Sequence, residues 1–320
     1  MKKHFLTLFA LLFVCASINA QTDTKERQIV TGKISKAPDK KDETPDGWKK
    51  GGEGILNFSI TNFNDKWIGG NQDAVAVSGN FGVFANYKKG KISWDNTLRL
   101  ALGFIKLDSF AFRKADDAIV IESKVGYAFN PKLYGVAFVD FTSQLAIGRN
   151  YTVSDAPIIS KFMSPGIVRL GAGIDWRPTN NLSLLLAPVA FRGLIVNDQA
   201  IADLLLHGND PIVSGTDTIG GEKFSPQFGL LAKMGYKREI TKNIVYSSDL
   251  DFFGDYLSGF EKLDLRWNNK LNLKVNKYIG TTLESTLIYN PQMDTNASAE
   301  GIQKGAQHRL FLGVGFSYKF

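Results

Sequence analysis

Few residues in this chain have the chemistry of a catalyst. It holds three histidines, His4, His207 and His308, and one cysteine, Cys15. A Ser–His–acid hydrolase needs a serine beside its histidine on a neighbouring element. Nothing in the sequence identifies such a serine for His308, so a hydrolase ranks third among the functions considered. So few histidines and thiols also leave little for a zinc site. Asp203, Asn209, Asp210 and Asp217 supply oxygen ligands for calcium but lack EF-hand spacing. Gly171-Ala172-Gly173 and Gly313-Val314-Gly315 precede no helix, so they are not dinucleotide fingerprints; they read as inward glycines that let strands curve. No catalytic residue, cofactor or metal is assigned.

The charged residues carry more information, because they recur with a period of two. In "LDLRWNNKLNLKVN", Leu263, Leu265, Trp267, Leu271, Leu273 and Val275 share one parity, and Asp264, Arg266, Lys270 and Lys274 share the other. "KISWDNTLRLALGF" sets Trp94, Leu98, Leu100 and Leu102 against Asp95 and Arg99. "IVRLGAGIDWR" sets Leu170, Ile174 and Trp176 against Arg169, Asp175 and Arg177. That alternation is the mark of a strand with one apolar and one polar face. The set expected on the polar side is Asp95, Arg99, Glu122, Lys124, Arg169, Asp175, Arg177, Asp249, Asp251, Asp264, Arg266, Lys270, Glu284 and Arg309.

About twelve such strands follow Glu53, several long enough to cross a bilayer at a tilt. Short turns ("KKGK", "NPK", "RPTNN", "REITKN", "VNKY") alternate with long segments at 62–72, 108–117, 146–165, 192–222, 254–262 and 291–306. Short turns at one end and long loops at the other are the layout of a transmembrane β-barrel. Tyr87, Trp94, Phe129, Trp176, Tyr236, Tyr246 and Tyr318 collect near the short-turn end. Phe104, Phe110, Phe112, Phe141, Phe162 and Tyr289 lie toward the other. Aromatic belts at two heights fit two membrane–water boundaries. Two segments resist this reading: "LYGVAFVDFTSQL" has large apolar groups on both parities, and the period blurs at Leu184–Leu186, so strand ends near 133–145 and 182–196 stay open.

The fold expected is therefore all-β: a single antiparallel transmembrane barrel at 51–320, closed by pairing "EGILNFSIT" with the final "RLFLGVGFSYKF". Closure satisfies every backbone group inside hydrocarbon. Residues 1–20 read as a cleavable signal, with Lys2 and Lys3, the apolar "FLTLFALLFVC" and the small-residue end "INA". Val14 before Cys15 argues against lipidation. Residues 21–50 read as a flexible periplasmic linker, rich in charge with Pro38 and Pro45. The net charge of +7 becomes +5 without Lys2 and Lys3, and no Lys/Arg block marks a nucleic-acid surface.

"GWKKGGEGILNFSIT", "FANYKKGKISWDNTLRLALGFIK", "FRKADD" and "GAGIDWRPTNNLSLLLAPV" resemble an uncharacterised family of Bacteroidetes outer-membrane barrels, domain of unknown function 3078. The likeness covers nearly all of the expected mature chain. It implies the barrel fold and the outer membrane and brings no activity. The partners expected are the bilayer, the insertion machinery reading a last strand that ends in Phe320, and a small hydrophilic solute.

The interior charges allow two arrangements. They pair across strands and fill the barrel, or they line a water-filled pore; a partly filled lumen suits twelve strands best. One register follows directly: a three-residue "NKY" turn sets Lys270 opposite Glu284. In the long loop, Asp198 is expected to cap a helix through Leu206 with Ile201, Leu204 and Leu205 on one side, which either narrows the mouth or lies as a surface cap with no gating role. A passive channel, a non-conducting barrel with binding loops, and a hydrolase are the functions these features admit, in that order.

Overall fold

A computed structural model describes residues 46–61, 74–107, 110–151, 155–261, 263–276, 279–291 and 306–319. The expected signal, nearly all of the linker, Phe320, the 62–72 segment and most of 291–306 lie outside the described residues. Twelve strands close into one antiparallel barrel: β1 (Gly47–Thr61), β2 (Ala74–Lys89), β3 (Ile92–Leu107), β4 (Arg113–Asn130), β5 (Leu133–Ser143), β8 (Gly166–Thr179), β9 (Leu182–Ile195), β12 (Phe224–Thr241), β13 (Ile244–Asp255), β14 (Leu263–Lys274), β15 (Ile279–Tyr289) and β16 (Ala306–Lys319). Between β5 and β8 lie the short β6 (Gly148–Arg149) and β7 (Ile158–Ser160). Between β9 and β12 lie α1 (Gln199–Ala202), β10 (Pro211–Ser214) and β11 (Asp217–Gly221).

Each barrel strand pairs with its sequence neighbour, and β16 returns to β1 with Glu53 opposite Lys319 and Asn57 opposite Gly315. The sheet has no open edge, so its ladder meets the hydrogen-bonding demand of the wall internally. The outer wall is apolar: Phe58, Ile60 and Val189 are 66%, 75% and 73% exposed. Charges instead point inward, the inverse of a water-soluble protein. Such a closed barrel implies a lipid bilayer around it.

The two segments that resisted a period are both regular strands. β5 turns Tyr134, Val136, Phe138 and Asp140 inward, all buried, because one side of this barrel encloses apolar groups as well as charges. In β9, Ser183, Leu185 and Ala187 are buried, and then Ala190, Arg192 and Leu194. The register shifts at Pro188 against both neighbours, across Pro188 and Val189 toward β12 and across Ala187 and Pro188 toward β8. An extra residue in a bulge moves the period by one, and the proline sits where the ladder is interrupted. The bulge brings Leu186 O so close to Gly173 that a β-carbon on Gly173 would collide with it.

Several segments expected to be loop are strand. β4 begins at Arg113 rather than after residue 117, β9 runs to Ile195 rather than ending before 192, and β1 starts at Gly47. Asp116 and Arg192 are therefore wall residues.

Candidate functional site: the barrel interior and its cap

The interior is divided into two unlike halves. Over β5, β8, β9, β12 and β13 it is packed solid. Tyr134, Val136, Phe138, Leu185, Ala187, Ala190, Leu231 and Phe253 form one buried cluster. Over β1–β3 and β14–β16 many inward side chains are small, polar and half-buried, among them Asn57, Ser78, Asn80, Thr97, Asn272 and Thr282, with Phe84, Ile288 and Phe311 between them. Each half follows from sequence, since Phe and Leu at inward positions displace water and Ser, Thr and Asn hold it.

Charge networks stack through the packed half. Toward the short turns, Lys124 Nζ lies 2.9 Å from Asp175 Oδ2, Arg177 Nη2 lies 2.8 Å from the same oxygen, and the guanidinium covers the Tyr134 ring at 4.3 Å. Asp95 faces Lys124 in register. Higher up, Arg169 Nε donates to Asp140 Oδ1 at 2.8 Å, and Nη1 and Nη2 donate to the two oxygens of Asp251 at 2.7 and 3.0 Å. Lys233 Nζ joins Asp140 at 3.0 Å and Asp251 at 3.4 Å. These four charges come from β5, β8, β12 and β13, so the network crosses the interior and bypasses β9. Arg192 of β9, opposite Arg169 in register, turns away to Gln227 at 2.7 Å and to Asp264 of β14 at 3.2 Å. Arg266 stands opposite Asp251. Asp140 and Asp175, both buried, thus each have two cations, without which their desolvation would be prohibitive.

The half-buried side holds two smaller groups. Arg99 Nη2 meets Glu122 Oε2 at 2.6 Å. Glu284 is shared by Lys270 at 2.8 Å and Arg309 at 3.0 Å. Lys270 and Glu284 are directly opposite in the hairpin, the register expected from the turn. Asp249, also inward, is opposite Asn268.

The structure thus brings the expected interior residues into ion-paired groups rather than an even lining; Lys124 and Asp175 are buried in the packed half. Three participants escaped the sequence: Asp140, Lys233 and Arg192. Asp140 lies among large apolar inward residues, so no polar parity marks it; Lys233 shares its parity with Ser225, Gln227 and Gly229, and that polar parity was its signal. Arg192 fell in a segment taken for a loop. The bulge at Pro188 was the available signal for Arg192.

A cap sits over the packed half. Ile201 and Ala202 of α1 are buried against Ile167 and Leu194 near the top of β8 and β9, and against Val196. Asp198 caps the helix by accepting from Ile201 N, as expected, and its carboxylate pairs with Lys161. That contact holds the Asp198 carboxyl below the usual carboxylate range. The helix ends at Ala202 and does not reach Leu206. Leu204 is exposed, and Leu205 takes a left-handed φ of 55°, which breaks the helical path. Only Ile201 of the three expected apolar residues is buried inward. Asn197 N donates to Met163 O and Asp198 N to Ser164 Oγ, while buried His207 Nε2 lies 2.9 Å from Ile159 O. The loops 144–165 and 196–223 are therefore one tied unit. Lys114 anchors it to β4 through Gln144 Oε1 at 2.6 Å and Ser160 Oγ at 3.1 Å. Asp203 accepts from Gln199 and Gly221 N, and Asn209 donates to Ala202 O and Glu222 O. These groups pin the loop; among the described residues no cluster suited to a metal ion is found.

On the outer wall, Ser285 Oγ lies 3.0 Å from His308 Nε2, a neighbour the sequence did not reveal because the β15–β16 register spans a long loop. Among the described residues no carboxylate bonds His308. The backbone N–H groups nearby are spent in the ladder, leaving no evident oxyanion donor. The pair satisfies two polar groups on an apolar face.

No curated protein matches the sequence. The fold is similar to an outer membrane channel from Pseudomonas putida F1, with 11% identity over 88% of this chain and 100% of that one and a TM-score of 0.41. It is similar to the NanC porin, with 8% identity over 82% and 98% and a TM-score of 0.41. It is also similar to the translocator domain of the autotransporter NalP from Neisseria meningitidis, with 11% identity over 84% and 88% and a TM-score of 0.36. The motifs at 84–106 and 112–117 fall inside the segment matched by a family model; that at 171–189 falls outside it. Residues 58–149 match the family described as "Protein of unknown function (DUF3078)", the family the sequence resembles.

Proposed function

We propose that this chain is an integral outer-membrane barrel that provides a narrow passive path for a small hydrophilic solute. The path runs along β1–β3 and β14–β16. The observation that carries this reading is the division of the interior: one half is packed and capped, while the other is lined by half-buried amide and hydroxyl groups. Arg99–Glu122 and Lys270–Glu284–Arg309 are local ion pairs that leave that side near neutrality. A neutral or weakly charged solute suits such a lining better than a strongly charged one, which would have to compete with pairs already formed. The reading is of a non-enzymatic barrel. It includes export through the signal at 1–20 and insertion through the final strand.

Single-channel recording in planar bilayers tests it. Small, ohmic steps are expected from the full mature chain, and larger ones after deletion of 197–221. Silence in both would favour the second reading, a non-conducting barrel whose tied loops bind a ligand outside; the hydrogen-bonded unit of 144–165 and 196–223 favours that alternative.

A further inference from the structure

Charge is distributed unevenly between the two ends of the barrel. The short-turn rim carries Lys132, Lys237, Arg238, Lys242 and Lys274, all exposed, against Asp46 and Glu239. It also carries a denser arc on β1–β3, where lysines meet aromatic rings. Trp48, Tyr87 and Trp94 are register neighbours on the outer wall, with ring centroids 5.2 Å apart for Trp48–Tyr87 and 5.7 Å for Trp48–Trp94. The Trp94 indole is fixed by a 2.9 Å bond to Ser123 Oγ. Stacked tryptophan and tyrosine on a barrel's outer wall mark the depth of lipid headgroups.

Three lysines bracket this stack. Lys50 shares the outward parity of Trp48, and its ammonium lies 5.8 Å from the centre of that ring. Lys89 shares the parity of Tyr87, and Lys91, in the next turn, lies 5.9 Å over the Tyr127 ring. All three are exposed, and one carboxylate, Asp46, sits in their turn, accepting from Gly90 N at 3.0 Å. Two ammonium groups on the rim side of the rings and one on their membrane side, against that single carboxylate, match a phosphate-bearing lipid rather than a soluble anion. A soluble anion would gain nothing from the aromatic wall.

We infer that the β1–β3 arc at the short-turn rim is a binding site for anionic phospholipid headgroups, with Lys50, Lys89 and Lys91 holding the phosphates around the Trp48–Tyr87–Trp94 cluster. This rests on the membrane-barrel reading above. In the outer membrane the short turns face the periplasm, so the site selects anionic lipid from the inner leaflet and anchors the barrel's depth and tilt there. Each lysine near an anionic surface contributes a modest attraction, which salt screens.

The test is quenching of tryptophan fluorescence in the reconstituted mature chain by brominated phosphatidylglycerol against brominated phosphatidylcholine. The expected wild-type preference for the anionic lipid is about fivefold. It should fall toward one in K50Q/K89Q/K91Q and in ~0.5 M salt. The variant's sheet content is checked by circular dichroism. K237Q/K242Q/K274Q, on the far arc of the same rim, should keep the preference. Equal binding of the two lipids by the wild type, a preference that survives in the first variant, or an equal loss in the second would each overturn the site. Absence of quenching by brominated phosphatidylcholine would overturn the membrane-barrel reading itself.

Discussion

Arg169 of β8 makes a two-pronged contact with Asp251 of β13, at 2.7 and 3.0 Å, although β9 and β12 separate those strands in the wall. A side chain can do this only by crossing the interior. With Asp140 and Lys233 the contact forms a strut that fixes how far the packed half can open.

Removing one member should therefore strand the others. Asp251→Ala leaves Arg169 and Lys233 sharing Asp140 alone, and a broken buried pair typically costs about 3–5 kcal/mol. Chemical unfolding in detergent, followed by tryptophan fluorescence, should show that loss. Arg309→Ala, at a more exposed pair whose carboxylate keeps Lys270, should lose less. Equal losses at both positions would argue against a strut.

The hairpin pair Lys270–Glu284 is a smaller test of register. A double-mutant cycle with Lys270→Met and Glu284→Gln should return a coupling of about 0.2–1 kcal/mol, in the range for opposite-charge cross-strand pairs. The Glu284 single variant should cost more than the Lys270 one, because Glu284 also serves Arg309. Zero coupling would place the two residues on different faces.

Gly173 tests the bulge. Gly173→Ala drives a methyl group into Leu186 O, and overpacking of this kind costs about 1–3 kcal/mol. Gly54→Ala, on the outer wall with nothing near the new carbon, should be nearly neutral. Similar effects at both sites would remove the bulge from the account.

The cap should respond to acid. Lys161 lowers the Asp198 pKa, so the contact contributes above the ordinary aspartate value and is lost as pH falls through the lowered one. The protection of the Gln199–Asp203 amides, taken as the exchange rate relative to the intrinsic rate at each pH, should be high at neutral pH and fall below about pH 4. Asp198→Asn keeps the cap acceptor without the charge and should flatten that dependence. Asp198→Ala should raise exchange at every pH.

Sequence and structure agree wherever the wall is simple. β3 and β14 alternate cleanly because their inward side faces small polar groups, so one parity is apolar and the other is not. The agreement fails where the interior is packed. Tyr134, Val136 and Phe138 beside Asp140 give both faces of β5 apolar character, because an enclosed apolar group and a lipid-facing one look alike in sequence. The Lys270–Glu284 register was legible because a short turn ties it. The Ser285–His308 pair and the Arg169–Asp251 strut were not, since one depends on pairing across a long loop and the other on a chord through the interior past two strands. The cap helix stopped early because Leu205 adopts a left-handed turn that no residue type announced.

The central claim is that lipid bathes one parity of the wall while water reaches the interior only along β1–β3 and β14–β16. Cys15 is the sole cysteine and lies in the segment expected to be removed, so single cysteines can be placed in an otherwise thiol-free mature chain. The decisive measurement is labelling of Ser78→Cys, Thr282→Cys, Ser183→Cys and Phe58→Cys in bilayers with a membrane-impermeant maleimide. Fast labelling at 78 and 282 and slow labelling at 183 and 58 is the predicted result; labelling at 58 as fast as at 78 would contradict it.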